Sequence, residues 1–379
     1  MRALILTCNT GEGHNSAARA IKEVFDAANI YCEIADSLAF LSPKASTFIS
    51  KWHVRLYKKA PTLFGLGYKA AELTDGRHKR SRLYEAITKG ARKLIKKVNE
   101  GNFDTVICTH PFSAMTLTRA VKKYRLSLDK TYFISTDYTC SPGVCYSDLD
   151  YYIIPHESLK DDFTTHAIPE HKLFAGGIPV SKKVHTSLSK EESRRELSIP
   201  ENKRVILLMC GSMGCGPMKV IARKMAKILK DDEYLVVICG SNRKLYQSLR
   251  YLDDPGSVRI LGFTRNVPLY MNSADLLLSK PGGLSTTEAA ENNLPMILID
   301  AVAGCETHNM NFWVKNHMAD TRDDSTELCA LVRELLDNEK ALTEIKNNLS
   351  QNFNCSSAEK IFNFIMENSS RKEESKWQV

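Results

Sequence analysis

The sequence predicts a doubly wound α/β protein made of two parallel-sheet domains, and three observations carry that reading. Short apolar runs bounded by turn residues alternate with helical patterns along the whole chain. Many of the runs are apolar almost throughout, as strands covered on both faces by helices must be. A second series of the same units begins after residue 180, and 379 residues suit two domains of ~100–200 residues each.

In chain order the candidate strands of the first series are 3–8, 105–109, 131–135 and 151–154. Those of the second are 205–210, 234–239, 258–261, 275–278 and 296–299. The seam is expected at Gly176-Gly177-Ile178-Pro179, which gives domains 1–178 and 179–355. Residues 356–369 have the pattern of one more amphipathic helix, packing back on the first domain, and the polar end RKEESKWQV is expected to fray. Ligands of such sheets bind at the carboxyl ends of the strands, so a cleft between the two domains is the expected site.

Composition excludes several classes. With 43% hydrophobic and 25% charged residues the chain is globular rather than disordered or fibrous. No apolar run approaches the ~20 residues that span a bilayer, and the opening MRALILTCNT is too short for a signal peptide, so a cytoplasmic protein is expected. The eleven cysteines are odd in number and include no CxxC, which points to reduced thiols and no zinc site.

Net charge is +8, but fifteen Lys or Arg against three acids lie between Lys44 and Lys97, leaving the rest of the chain acidic on balance. Here Phe48, Ile49, Trp52 and Leu56 recur at helical spacing, with Lys51, Arg55, Lys58 and Lys59 alongside. That pattern suits a basic amphipathic element on an anionic membrane surface. An ordinary amphipathic helix with a solvated face has the same spacing; nucleic acid is disfavoured because no binding motif accompanies the cations.

Three glycine loops each join a strand to a helix. The first, 7–18, contains Gly11, Gly13 and His14, with His14 at the mouth of the turn as a candidate general base, a cap or an exposed histidine. Ser16 is a poor stand-in for the third glycine of a dinucleotide fingerprint, although Asp36 lies at a ribose-binding distance along the chain. The second loop, Gly211-Ser212-Met213-Gly214-Cys215-Gly216-Pro217, lacks the Gly-Lys-Ser/Thr of a nucleoside-triphosphate loop. In the third, Lys280, Pro281, Gly282, Gly283, Leu284 and Ser285 gather amides, hydroxyls and a cation where a diphosphate could bind, and Glu288 could take ribose hydroxyls. Asp148 and Asp150 have the spacing of a metal-binding pair but precede a strand, and no metal is expected.

Taken in order, the GxGHxxAA motif, the basic aromatic segment with Lys59-Ala60-Pro61 and Tyr68, Ser135-Thr136-Asp137, Gly262-Phe263, Lys280-Pro281-Gly282-Gly283 with Glu288, and Gly304-Cys305-Glu306-Thr307-His308-Asn309 resemble the monogalactosyldiacylglycerol synthase and processive diacylglycerol glucosyltransferase family. The resemblance implies a GT-B glycosyltransferase with two Rossmann-like domains: an acceptor and membrane domain first, a UDP-sugar domain second. It implies an inverting transfer of a hexose to diacylglycerol or a glycosyl-diacylglycerol by a peripheral enzyme on the cytoplasmic membrane face, with no cofactor; the alternatives are a UDP-sugar transferase with a polyprenyl-linked or other acceptor, or a non-catalytic nucleotide-sugar-binding protein. On that analogy His14 is the base and Asp137 orients it or shares the role. Gly13, Gly211, Ser212, Gly214, the 280–285 loop, Arg265 and Glu288 would hold the nucleotide, Gly262 and Phe263 the uracil, and Glu306 and Asn309 the sugar hydroxyls. Lys51, Trp52, Arg55, Lys58 and Lys59 would meet the membrane and acceptor. The chain departs from the family pattern at Cys305, where a Gln is expected, at Thr307, and in the stretch after Asp137.

Overall fold

A computed structural model of the chain describes residues 1–74, 82–353 and 356–375. It divides into two compact units, Met1–Ser181 with Val302–Cys305 and Ser356–Val379, and Lys182–Ala301 with Glu306–Cys355. The first unit holds six strands: β1 (Ala3–Thr7), β2 (Cys32–Asp36), β3 (Thr105–Cys108), β4 (Lys130–Ile134), β5 (Tyr151–Ile154) and β6 (Leu173–Ala175). All pairs are parallel, in the order β2-β1-β3-β4-β5-β6. The sequence of β1, ALILT, is buried at every position because helices cover both faces of the sheet. The connections leave β1 to opposite sides, so the order reverses between β1 and β3, and the loops after these two strands flank the crevice where such sheets bind ligands.

The helix Ser357–Ser375 belongs to this first unit and continues through Ser375, where a frayed tail from Arg371 was expected. Ile361 and Ile365 are fully buried in the core on the face that also holds Ile21, Phe25 and Ile134. Each such burial contributes ~1.5–3 kcal/mol, and Phe364 stacks on Phe174 at 3.9 Å. Ser357 donates its hydroxyl to the Ile178 carbonyl at 2.6 Å.

The second unit holds β7 (Arg204–Met209), β8 (Glu233–Ile238), β9 (Val258–Leu261), β10 (Leu276–Ser279), β11 (Met296–Leu298) and β12 (Ala319–Thr321). Its order, β12-β11-β10-β7-β8-β9, is again wholly parallel and reverses between β7 and β10. The second and third glycine loops follow these two strands, so each sheet presents its glycine loops at its own switch point. Among the described residues no helix is long and apolar enough to cross a membrane. The ten described cysteines are free thiols, seven of them buried, and burial pushes Cys8, Cys32 and Cys210 up to about 12.

Candidate active site

In the first unit the chain leaves β1 and enters the helix Glu12–Ala27 with Gly11 as an N-cap that offers no side-chain acceptor. His14, one turn in, is half-buried, and its Nδ1 lies 2.9 Å from the carbonyl of Thr109, at the end of the neighbouring β3. A carbonyl only accepts, so Nδ1 carries the proton, which is shared with Thr136 Oγ1 at 2.8 Å. Nε2 is left as the lone-pair nitrogen. Burial holds the pKa of His14 below its usual 6.5, against the opposing charge of Asp137 and the Thr109 hydrogen bond. The ring is thus a neutral base of fixed tautomer at neutral pH. Asp137 was expected to orient it or share its role; its charge acts on the ring, and the Nδ1 hydrogen bonds run to Thr109 and Thr136.

A second histidine, which the sequence reading did not single out, stands beside it. His110 is buried, its ring centre 4.5 Å from that of His14 in edge-to-face packing. Phe112 N–H donates to its Nδ1 at 3.0 Å, so Nε2 carries the proton toward Thr10 Oγ1, also at 3.0 Å. The two rings therefore hold opposite tautomers. The signal in the sequence is Thr109-His110-Pro111 directly after a strand, but its value depends on knowing that β3 neighbours β1.

Asp36, the ribose candidate, is engaged elsewhere. Its carboxylate accepts from Leu38 N–H at 3.0 Å, from Asn9 Nδ2 at 3.1 Å and from the Ser46 hydroxyl. Ser46 and Ser50, which donates to the Asn9 carbonyl, lie on the helix Pro43–Lys59, so this basic helix is tied to the loop that leads to His14. On that helix Lys51, Trp52 and Arg55 are exposed, and the side chains of Lys58 and Lys59 lie outside those described. Phe48 and Trp52 are 62% and 53% exposed, as are Leu63 and Leu66 of the next helix, Pro61–Thr74, at 58% and 61%. Among the described residues these four large apolar side chains are exposed, and Lys51 and Arg55 lie exposed on the same helix as two of them.

The acid pair is structural. Asp150 accepts from the Thr131 amide and hydroxyl at 2.8 and 2.7 Å, and Asp148 sits between Lys122 and Lys172 at 2.6 and 2.7 Å. Both line a cavity of about 350 Å³ at the amino ends of β4 and β5, the opposite end of the sheet from His14. Those lysines hold the Asp148 carboxyl below the usual range despite partial burial.

In the second unit the helices after β7 and β10, Met218–Ile228 and Gly283–Glu291, begin without side-chain caps. By contrast, helices starting at Lys190, Arg243, Ser325 and Glu339 are capped by Ser189, Asn242, Asp324 and Asn338. The first two therefore keep backbone N–H groups and the positive dipole end available to an anion. Gly214, at φ 54°, lies so close to the loop after β8 that a Cβ there would sit 2.1 Å from the Cys239 carbonyl oxygen. Gly211 and Ser212 are exposed, as are Phe263 and Arg265 in the loop after β9; Gly13 belongs to the first unit. Thr286 and Thr287 do not supply hydroxyls: both are buried and bond back to the Gly282 and Gly283 carbonyls, leaving Ser285 as the half-buried hydroxyl of the loop.

Glu288, a turn into that helix, has its pKa raised to about 7 by burial and by the neighbouring Glu291 charge. Lys280, expected as a cation for the diphosphate, has a different set of neighbours. Its buried ammonium lies 3.3 Å from Asp300 Oδ2 and 3.5 Å from Glu306 Oε2. Asn309, expected to read sugar hydroxyls, is fully buried and donates its amide to the Pro281 carbonyl at 2.9 Å, which makes it a support of the loop.

Two parallel switch-point sheets with glycine loops and uncapped helices define the class, and comparison with solved structures agrees. MurG of Acinetobacter baumannii superposes with a TM-score of 0.64 at 14% identity, over 97% of this chain and 99% of that one. Anabaena HepE in complex with UDP gives 0.58 at 14% identity, over 98% and 100%. The UDP-GlcNAc 2-epimerase of Neisseria meningitidis gives 0.61 at 12%, over 97% and 100%, so the fold alone does not separate transfer from epimerisation. The sequence does. Residues 14–180 match the monogalactosyldiacylglycerol (MGDG) synthase family and residues 205–364 the glycosyltransferase family 28 C-terminal domain. The chain is a GT-B glycosyltransferase. More particularly, its first half is similar to the MGDG synthase family and its second to the family 28 C-terminal domain. The processive diacylglycerol beta-glucosyltransferase of Bacillus licheniformis is 24% identical over 380 residues, covering 97% of this chain and 94% of that one. The protein of that name from Staphylococcus saprophyticus is 27% identical over 314 residues, covering 81% and 78%.

Proposed function

We propose that the chain moves a hexose, with inversion, from a UDP-sugar to the hydroxyl of diacylglycerol or a glycosyl-diacylglycerol at an anionic membrane surface. The observation that carries this reading is His14: a neutral imidazole whose Nδ1–H is spent on Thr109 and Thr136 and whose Nε2 is left as a base. Nε2 takes the acceptor proton as the acceptor oxygen bonds to the anomeric carbon and the bond to UDP breaks. Charge from Asp137 and the hydrogen bonds at Nδ1 then stabilise the imidazolium. Negative charge building on the leaving diphosphate meets the uncapped helix N-termini at Met218 and Gly283, with Arg265 as an exposed cation of the same unit. The names of the relatives support diacylglycerol as acceptor, and the exposed Phe48, Trp52, Leu63 and Leu66 with Lys51 and Arg55 support a peripheral membrane contact.

The test is a transfer assay with purified protein, anionic liposomes containing diacylglycerol, and UDP-glucose, UDP-galactose and UDP-N-acetylglucosamine in parallel, with lipid products read by mass spectrometry. A hexosyl lipid is the expected product. UDP binding without any lipid product from the three donors overturns the acceptor assignment.

A further inference from the structure

Eight residues other than glycine hold a positive φ among those described, and seven of them follow the last turn of a helix, where such a conformation ends the element. Asp300 is the eighth. At φ 47° it follows β11 instead, at the carboxyl end of the second sheet, beside the site already described. Its carboxylate stands between the two glycine loops of that unit. Oδ2 is 3.3 Å from the Lys280 ammonium, and it lies so near Gly216 that a Cβ built there would be 2.7 Å away. Glu306 reaches the same ammonium from the helix Cys305–Lys315 at 3.5 Å.

Lys280 and Glu306 are buried, whereas the Asp300 side chain is 45% exposed, so of the three groups the Asp300 carboxylate is the one that faces outward. A carboxylate so placed offers a diphosphate no hydrogen bond and accepts them from neutral hydroxyls. We infer that Asp300 is a specificity-determining residue of the donor site, its carboxylate accepting from hydroxyls of the donor hexose while Lys280 holds it alongside Glu306. The inference rests on the reading of the second unit as the UDP-sugar domain.

Asp300→Asn and Asp300→Gly test it, the glycine variant because glycine adopts φ 47° freely and removes only the side chain. Calorimetry with UDP, UDP-glucose and UDP-galactose, alongside transfer rates with both donors, gives the readout. UDP affinity is expected to stay within about twofold, while affinity for the preferred UDP-hexose falls by about 10- to 100-fold, the value of a lost charged hydrogen bond. The preference between the two hexoses should narrow in both variants. Equal losses for UDP and UDP-hexose would place Asp300 with the diphosphate and overturn the inference, as would unchanged preference. Wild-type protein that binds neither UDP nor UDP-hexose overturns the donor-domain reading itself, and this inference with it.

Discussion

In the first unit the loop after β1 presents a side chain, His14; in the second the loops after β7 and β10 present main chain, braced by the Asn242 and Asn309 amides on the Gly214 and Pro281 carbonyls. His14, Thr109, Thr136, Asn9, Asp36 and Ser46 bond through imidazole, hydroxyl, amide and carboxylate groups. In the second unit the helices at Met218 and Gly283 begin uncapped, as the one after β1 does, but Thr286 and Thr287 turn back on their own helix and Gly214 packs against a neighbouring carbonyl. The difference matches the work proposed for each. A proton acceptor needs one nitrogen of defined tautomer, which only a side chain provides, while a diffuse phosphate charge is met by several backbone dipoles at once.

The largest effect that this contrast implies is on His14. His14→Ala should lower kcat by about 10²–10⁴-fold with UDP affinity unchanged by calorimetry. Because burial lowers the His14 pKa, the base form is lost only as pH falls below 6.5, so the acid limb of the wild-type rate profile should lie under that value. An acid limb above it would break the assignment. Gly214→Ala is the counterpart in the second unit. At φ 54° and 2.1 Å from the Cys239 oxygen, an added methyl should cost about 1–3 kcal/mol, seen as a lower thermal midpoint together with weaker UDP binding. An unaffected UDP affinity would show that the loop does not need its main-chain geometry. The smallest effect should come from the surface helix. Lys51→Glu with Arg55→Glu should weaken sedimentation with anionic liposomes by about 1 kcal/mol per cation removed, or more on reversal, while activity on a detergent-dispersed acceptor stays near wild type. Equal sedimentation would remove this helix from the membrane contact.

The sequence displayed the central strands and concealed three of the four edges, β9 being the exception. Strands β1, β7 and β8 are apolar runs because they are buried on both faces, and the expected boundaries lie within a residue or two of those observed. The strands that pattern reading missed, β2, β6 and β12, all lie at sheet edges and are only partly buried, so CEIAD, LFA and ADT have no continuous apolar run to show. The same limit shaped the site. Glycine loops were legible because backbone geometry restricts the residue type, whereas Thr109, His110 and Thr136 gain their meaning from strand order, and Asp300 from a single dihedral angle. The bond from Asn309 to the Pro281 carbonyl was hidden for the converse reason: a polar residue on a helix gives no sign in the sequence of which groups of its own chain it meets.

Dinucleotide-binding sheets place an acid at the end of the second strand to hold a ribose. This chain keeps such an acid, Asp36, and uses it to anchor the helix Pro43–Lys59 through Ser46. Three donors converge on that one side chain, from the loop after β1, from the backbone after β2 and from the surface helix, so a single substitution at Asp36 would loosen all three together.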